Sequence, residues 1–442
     1  DMFLQVKGEG LNVGCCLTWG PCFEYQRTFF EPVPNKITEP FTVIKYDVEV
    51  SGFGSQALGH VCLLNLRDQT YPGSEGTKTK GWPTWTTPLM RWAKAQGAVT
   101  GYAHSANGLA VNAVEAARRL LKQHDTDHDG RLSAAEARQA LLPEPFSTID
   151  ADQDGFLSEQ ELVNSHRRAA TKLPNDAIPE MNGIGAQEVC VTTAMGVCDF
   201  ISAMDTQRVP EWNCWYHILN CGFPLKVSGE TDFPCISGSR VGQGRVYVHL
   251  GKVDHVDFTQ WCDGLAKGRS YISDGYAHAL EFTVNGKPMG EDVSLDKPGS
   301  VTVKAKCAFA AQTPLGTAIG GPESHGPTRK VELIVNGLAV ASKDVPADDH
   351  VHDLEFTVPI EKSSWVALRH YPSLHTNPIN VIVAGKPIRA SRRDAEWCIG
   401  VIEQLWRVRE KDIAPAERAE AKQTFEKALD VYRRIAAEAG EE

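Results

Sequence analysis

Two stretches of the chain space oxygen donors at the intervals a calcium ion demands. The first is DTDHDGRLSAAE, Asp125 to Glu136, and the second is DADQDGFLSEQE, Asp150 to Glu161. Loop positions 1, 3 and 5 are carboxylates in both: Asp125, Asp127 and Asp129, then Asp150, Asp152 and Asp154. Position 6 is Gly130 or Gly155, where the chain must turn sharply. Position 7, Arg131 or Phe156, offers its carbonyl, so its side chain is free to vary. Position 9, Ser133 or Ser158, acts through water, and position 12, Glu136 or Glu161, is the bidentate ligand. Ca²⁺ takes about six to eight oxygens at about 2.3–2.6 Å, and this spacing wraps them around one point. One such match can be an acidic surface loop. Two in register predict two bound calcium ions. Leu132 and Leu157 at position 8 are placed to join the loops by a short strand bridge.

A second set of possible ligands is spread more widely. Glu49 closes KYDVEV, His60 opens HVCLLNL, His104 ends GAVTGYAH and Asp232 ends LKVSGETD. Histidine and carboxylate donors on different strand ends of an α/β fold can converge on one ion. Taken singly, each is equally a hydrogen-bonded structural residue. Glu188 in AQEVCV and His217 in WYHILNCG rank second. Arg240, Arg245 and Arg269 offer charge to an anionic substrate, and the Gly- and Ser-rich stretch 230–244 can shape a pocket. Trp82, Trp85 and Trp92 make either a binding wall or aromatic packing over a core.

The elements that must position these groups follow from pattern. Residues 1–20 read as helix then strand. Strands are expected at 41–52, 59–67, 97–104, 186–193, 225–232 and 245–251. Helices are expected within 81–97 and at 109–123, 211–222 and 258–268. The calcium loops fall within 124–165. Alternation of strands with helices through residue 270 predicts a parallel α/β sheet or barrel. Beyond about residue 280, short alternating strands with Asn-Gly turns at 285–286 and 336–337 predict an antiparallel β-sandwich. Residues 391–440 are charged and Ala-rich with helical periodicity, predicting terminal helices. The expected units are an α/β barrel over 1–278, a calcium-binding insertion over 109–172, a sandwich over 279–388 and a helical tail over 389–442.

In order and context the strand-end residues resemble the PHP (polymerase and histidinol phosphatase) superfamily of metal-dependent hydrolases, and within it the CehA/McbA-like branch. The resemblance rests on LNVGCCLTWG, YDVEVSG with GHVCLLNL, GAVTGYAHSANG, LKVSGETDFP and GLAKGRSYISDG. It implies a distorted (β/α)7 barrel holding up to three divalent ions of zinc, manganese or iron. It places Glu49 as the bridging carboxylate, His60 and His104 as histidine ligands, and Asp232 in the late Asp-x-His motif. It implies hydrolysis of a small-molecule ester or phosphoester by metal-activated water, with Glu49, Asp232 and His217 as the catalytic candidates and Glu188 as a further ligand. The chain departs from that pattern in two places. Thr18, Trp19 and Gly20 stand where the family often has Thr-Asp-His, and Asp232, Phe233 and Pro234 stand where it has Asp-x-His.

Composition bounds the alternatives. The 442 residues are 42% hydrophobic and 23% charged with a net charge of −11, and nothing in this points to the basic face that nucleic acid requires. No apolar run reaches the length of a membrane span. The twelve cysteines form no Cys-x-x-Cys pair, so no zinc cluster of that type is expected, and disulfides cannot be assigned from spacing. The chain opens at Asp1 without an initiator Met, and the expectation is a start inside a domain with any targeting segment upstream. Calcium loops favour an extracytoplasmic setting. A calcium sensor fits poorly: Pro143 and Pro145 interrupt the interloop helix, which is not Met-rich. The competing reading is a non-catalytic, calcium-stabilised module that binds a glycan or a protein.

Overall fold

The structure is a computed structural model, and it describes residues 2–235, 240–313 and 326–440. Positions 236–239, within the Gly- and Ser-rich stretch, lie outside the described residues. Helix α1 (Met2–Gly8) leads into strand β1 (Val13–Thr18), and α2 (Phe23–Gln26) precedes β2 (Val43–Val50) and β3 (Val61–Leu64). Helix α3 (Thr86–Ala95) precedes β4 (Val99–Tyr102). The calcium loops sit among α4 (Ala113–His124), β5 (Arg131–Ser133), α5 (Ala134–Ala137), α6 (Phe146–Ile149), β6 (Phe156–Ser158) and α7 (Glu159–Ala169). Then come α8 (Val189–Ala194), β7 (Phe200–Ala203), α9 (Arg208–Asn220), β8 (Lys226–Gly229), β9 (Arg245–Val248), α10 (Phe258–Ala266) and β10 (Ser270–Ser273).

Six strands make a curled half-barrel sheet in the order β1-β2-β3-β4-β7-β8. The pairs β1–β2, β4–β7 and β7–β8 are parallel, but β3 is antiparallel to both of its neighbours. The expected parallel sheet is therefore corrected to a mixed one. Residues 51–60 are too few for a helical crossover, which needs about a dozen or more, so the chain returns beside β2 as an antiparallel neighbour. A second correction concerns 186–193, expected as a strand and found to hold α8. Val189 to Thr193 are all buried, and a helix buried on every side shows no 3.6-residue period to betray it.

Alternation sorts the sheet's two faces. Along β2, Val43, Lys45, Asp47 and Glu49 point one way, and Ile44, Tyr46, Val48 and Val50 the other. Val48 and Val50 join the largest core with Leu63, Tyr102 and Ile201, packed against α3, α8 and α9 through Leu89, Val189, Trp212 and Trp215. On the Glu49 side, Val43, Cys62, Leu64, Val99 and Phe200 pack against Phe258, Cys262 and Leu265 of α10. The calcium pair has its own small core of Leu120, Leu132, Ile149, Leu157 and Leu162.

Ten further strands follow: β11 (Ala277–Val284), β12 (Lys287–Pro288), β13 (Val293–Leu295), β14 (Gly299–Phe309), β15 (Thr328–Val335), β16 (Leu338–Pro346), β17 (Val351–Ile360), β18 (Ser364–His370), β19 (Leu374–Thr376) and β20 (Ile379–Val383). One sheet runs β12-β11-β14-β17. The other runs β13-β20-β18-β19-β10-β9, with β15 on β18 and β16 on β15. Strands β9 and β10 thus join the sandwich sheet. Its core holds Phe282, Val303, Leu333, Phe356 and Leu368. Both Asn-Gly pairs have positive φ at both residues, +48° and +77° at 285–286 and +48° and +89° at 336–337, the geometry that tight hairpins select. Helices α11 (Arg392–Arg409) and α12 (Arg418–Ala439) add Trp397, Leu405, Phe425 and Tyr432 to the largest core, so they cover α8 and α9. Among the described residues, no helix is long and apolar enough to cross a membrane.

Candidate metal sites

The two calcium loops share one hydrogen-bond plan. The position-1 carboxylate ties down the turn: Asp125 Oδ2 accepts from Gly130 N–H at 2.9 Å, and Asp150 Oδ2 from Gly155 N–H at 3.2 Å. Gly130 and Gly155 have φ of +84° and +85°, a region costly for any residue with a Cβ. The position-12 carboxylate is fixed by position 9. Glu136 Oε2 accepts from Ser133 N–H and hydroxyl at 2.9 and 2.8 Å, and Glu161 Oε2 does the same with Ser158. Hydrogen bonds from Ser133 and Thr126 hold Glu136 down to about 2, so it is charged and ready to ligate. Oxygens of Asp125, Asp127 and Glu136 lie within 4.8 Å of one another, as do those of Asp150, Asp152 and Glu161. Asp129 Oδ1 and Asp154 Oδ1 each accept the N–H two residues on, at 2.8 Å. The loops join in antiparallel register with Leu132 opposite Leu157. Oxygen donors at this spacing fit Ca²⁺.

The second cluster follows from strand direction. Glu49 ends β2, His104 follows β4, Asp205 follows β7, and Glu230 and Asp232 follow β8. Because β3 alone runs the other way, its residue at this same edge is the one that precedes it, His60. His60 Nδ1 and His104 Nε2 are 3.0 Å apart. Glu49 Oε1 stands 3.5 Å from His60 Nδ1 and 3.7 Å from His104 Nε2. Donors about 2.0–2.2 Å from one tetrahedral ion are about 3.3–3.6 Å apart, and the three separations here fall on either side of that range, so a shift of a few tenths of an ångström would let these residues hold one ion. Burial works against the Glu49 charge, but His104 and His60 hold its carboxyl down at about 2. Burial also opposes charge on His104, yet Glu49, Asp205 and Asp232 pull its pKa up.

Sequence reasoning missed two acids beside this cluster, Asp205 and Glu230. Both oxygens of Asp205 are buried without a hydrogen-bond partner, and burial pushes its carboxyl up to about 7. Glu230 accepts the His104 backbone N–H, and burial, with Asp205 next in effect, drives it well above the carboxylate range. Burial and the Glu49 charge likewise raise Asp232. His104 and Asp232 sit in the left-handed region, φ +32° and +50°, a strain that persists only where surroundings impose it. Four acids thus face two histidines, an excess of negative charge that a buried site must neutralise with protons or a cation. Both missed residues follow strands at the edge that carries Glu49, and that position was their only signal.

Other expected site residues lie elsewhere. Glu188 is fully buried, and its oxygens accept Thr86 N–H at 2.8 Å, Thr87 N–H at 3.1 Å and the Thr87 hydroxyl, so it fastens the start of α3. His217 lies among other partners: Nδ1 meets Asp394 Oδ1 at 2.7 Å, Nε2 meets the Asn175 carbonyl at 2.8 Å, and the ring stacks on Trp397. Arg240 reaches Glu9 and the Asp274 carbonyl, Arg245 pairs with Glu9, and Arg269 pairs with Asp263. Trp82 packs with Phe23, Phe53, Tyr71 and Trp92, the packing alternative. At Gly20 a Cβ would strike the Ser51 carbonyl, which accepts the Gly20 N–H at 2.7 Å. No ligand side chain fits at that position without rearrangement.

An EF hand family model matches residues 144–164, the second calcium loop with its flanks. No curated protein matches the chain. The chain carries an EF hand, and the function that motif points to is calcium binding.

Proposed function

We propose that this chain is a metal-dependent hydrolase of the PHP type, CehA/McbA-like, whose calcium-loop pair is an inserted support. The observation that carries it is the convergence of Glu49, His60 and His104 at mutual distances of 3.0–3.7 Å, at the edge of the sheet where strand ends gather. A divalent zinc, manganese or iron ion held there supplies Lewis-acid activation of water and of a scissile ester or phosphoester. The chain's own residues do the rest. Glu49, His60 and His104 would hold the ion, Asp232 or Asp205 would receive the proton released by the attacking water, and Glu230 fixes the His104 backbone. The calcium pair lies in the connection between the paired strands β4 and β7, which supports reading it as an insertion into one sheet loop. Calcium at both loops and an extracytoplasmic setting complete the proposal.

A second reading has its own observation. Gly20 leaves no room for a ligand and Pro234 has no ligating side chain, which favours a barrel that keeps its form without its chemistry. The experiment is a hydrolysis assay on chromogenic esters and phosphoesters with zinc, manganese or iron restored. Turnover lost in the double variant His60→Ala/His104→Ala supports the enzyme. Equal rates in wild type and variant overturn it.

A further inference from the structure

The side chain at loop position 7 is free to vary, because only its carbonyl faces the ion. In the second loop it is Phe156. In the first it is Arg131, and its guanidinium does not point away into solvent. Nη2 stands 3.3 Å from Asp129 Oδ2 of its own loop, and Nη1 stands 3.3 Å from Asp154 Oδ2 of the other. The guanidinium lies over the Phe156 ring, 4.1 Å from its centroid, which guides the side chain across the β5–β6 bridge. Asp129 and Asp154 are the position-5 ligands. The Oδ1 atom of each already accepts the backbone N–H two residues on. One guanidinium therefore holds the remaining oxygen of both.

We propose that Arg131 is an internal counter-cation that weakens calcium binding at both loops and couples them. This rests on the reading that both loops bind calcium. An ion entering either loop must take a position-5 carboxylate that the guanidinium holds, and the ion's double charge repels it. Once the first ion has driven it out, the second loop has no counter-charge left to displace. The fork geometry matters, because the guanidinium presents two separate terminal nitrogens in one rigid plane to the two carboxylates, whereas an ammonium offers its donors from a single atom on a flexible stem. For an exposed unit charge beside a divalent ion, the effect is about three- to tenfold in affinity for the first ion.

The test is titration of the full chain with calcium against a chromophoric chelator at fixed ionic strength, comparing wild type, Arg131→Gln and Arg131→Lys. Each substitution keeps the position-7 carbonyl, and the side chain is 41% exposed, so the fold tolerates the change. Arg131→Gln is expected to bind the first ion about three- to tenfold more tightly and the second nearly as wild type does, so the ratio of second to first stepwise constants falls. Arg131→Lys is expected to lose the coupling while keeping weaker binding than Arg131→Gln. If wild type takes up two ions and Arg131→Gln binds them no more tightly, the inference is overturned while the calcium reading stands. If wild type takes up none, the calcium reading fails and the inference with it.

Discussion

Two imidazole nitrogens 3.0 Å apart, with a carboxylate oxygen within 3.7 Å of each, can share a proton or hold a metal ion between them. In sequence, His60 and His104 were visible as strand-end residues, and so were Glu49 and Asp232. Glu188, ranked second within an expected strand, has partners of its own. Its carboxylate satisfies two buried N–H groups and a hydroxyl of Thr86 and Thr87. Glu188→Ala leaves those donors unpaired and is expected to cost about 2–4 kcal/mol in urea unfolding, with metal content unchanged. Loss of a transition metal from that variant would instead return Glu188 to the ligand set. The difference was illegible in the sequence, because partners from a helix start about a hundred positions away decide what a buried carboxylate does.

His375 gives a pH-dependent expectation at the same scale. Its Nε2 meets the Tyr216 hydroxyl at 2.6 Å and its Nδ1 the Thr376 carbonyl at 2.7 Å, joining β19 to α9. Burial lowers its pKa from 6.5 to about 3, so the native ring stays neutral where the unfolded one takes a proton. Its contribution to stability is complete above pH 6.5 and falls by about 1.4 kcal/mol per pH unit from there towards pH 3. Urea midpoints at pH 7 and pH 5 should therefore differ more for wild type than for His375→Gln. Equal differences would remove the assignment.

At the scale of elements, the calcium pair is a small body with its own core, held to the rest by few ties. Arg119 of α4 reaches Glu180 and the Ile178 carbonyl, and Arg393 of α11 reaches Asp176 and the Leu142 carbonyl. Removing calcium with a chelator is expected to raise amide exchange across residues 105–180 while β1 to β4 stay protected. Cooperative exchange of the whole chain would contradict the insertion. The loops were the most legible elements, because calcium ligation is written into local spacing. The mixed sheet was less so: strand direction depends on which neighbour a short connection reaches, and α8 hid because burial on every side erases its period.

At the scale of the molecule, the half-barrel, the sandwich and the terminal helices share surfaces that pattern alone divided. Trp397, Phe425 and Tyr432 of α11 and α12 enter the same core as Val48 and Trp212. Strand β10 carries the sandwich sheet beside β8, and Asn377, following β19, accepts the Val227 N–H at 2.9 Å.

We propose that the sheet edge that gathers Glu49, His60 and His104 holds a transition metal while the loops hold calcium. Elemental analysis of the full chain, purified without chelator, tests it most directly. Two calcium ions and at least one zinc, manganese or iron ion per chain are expected, with only the transition metal lost in His60→Ala/His104→Ala. Calcium alone in the wild type would contradict it.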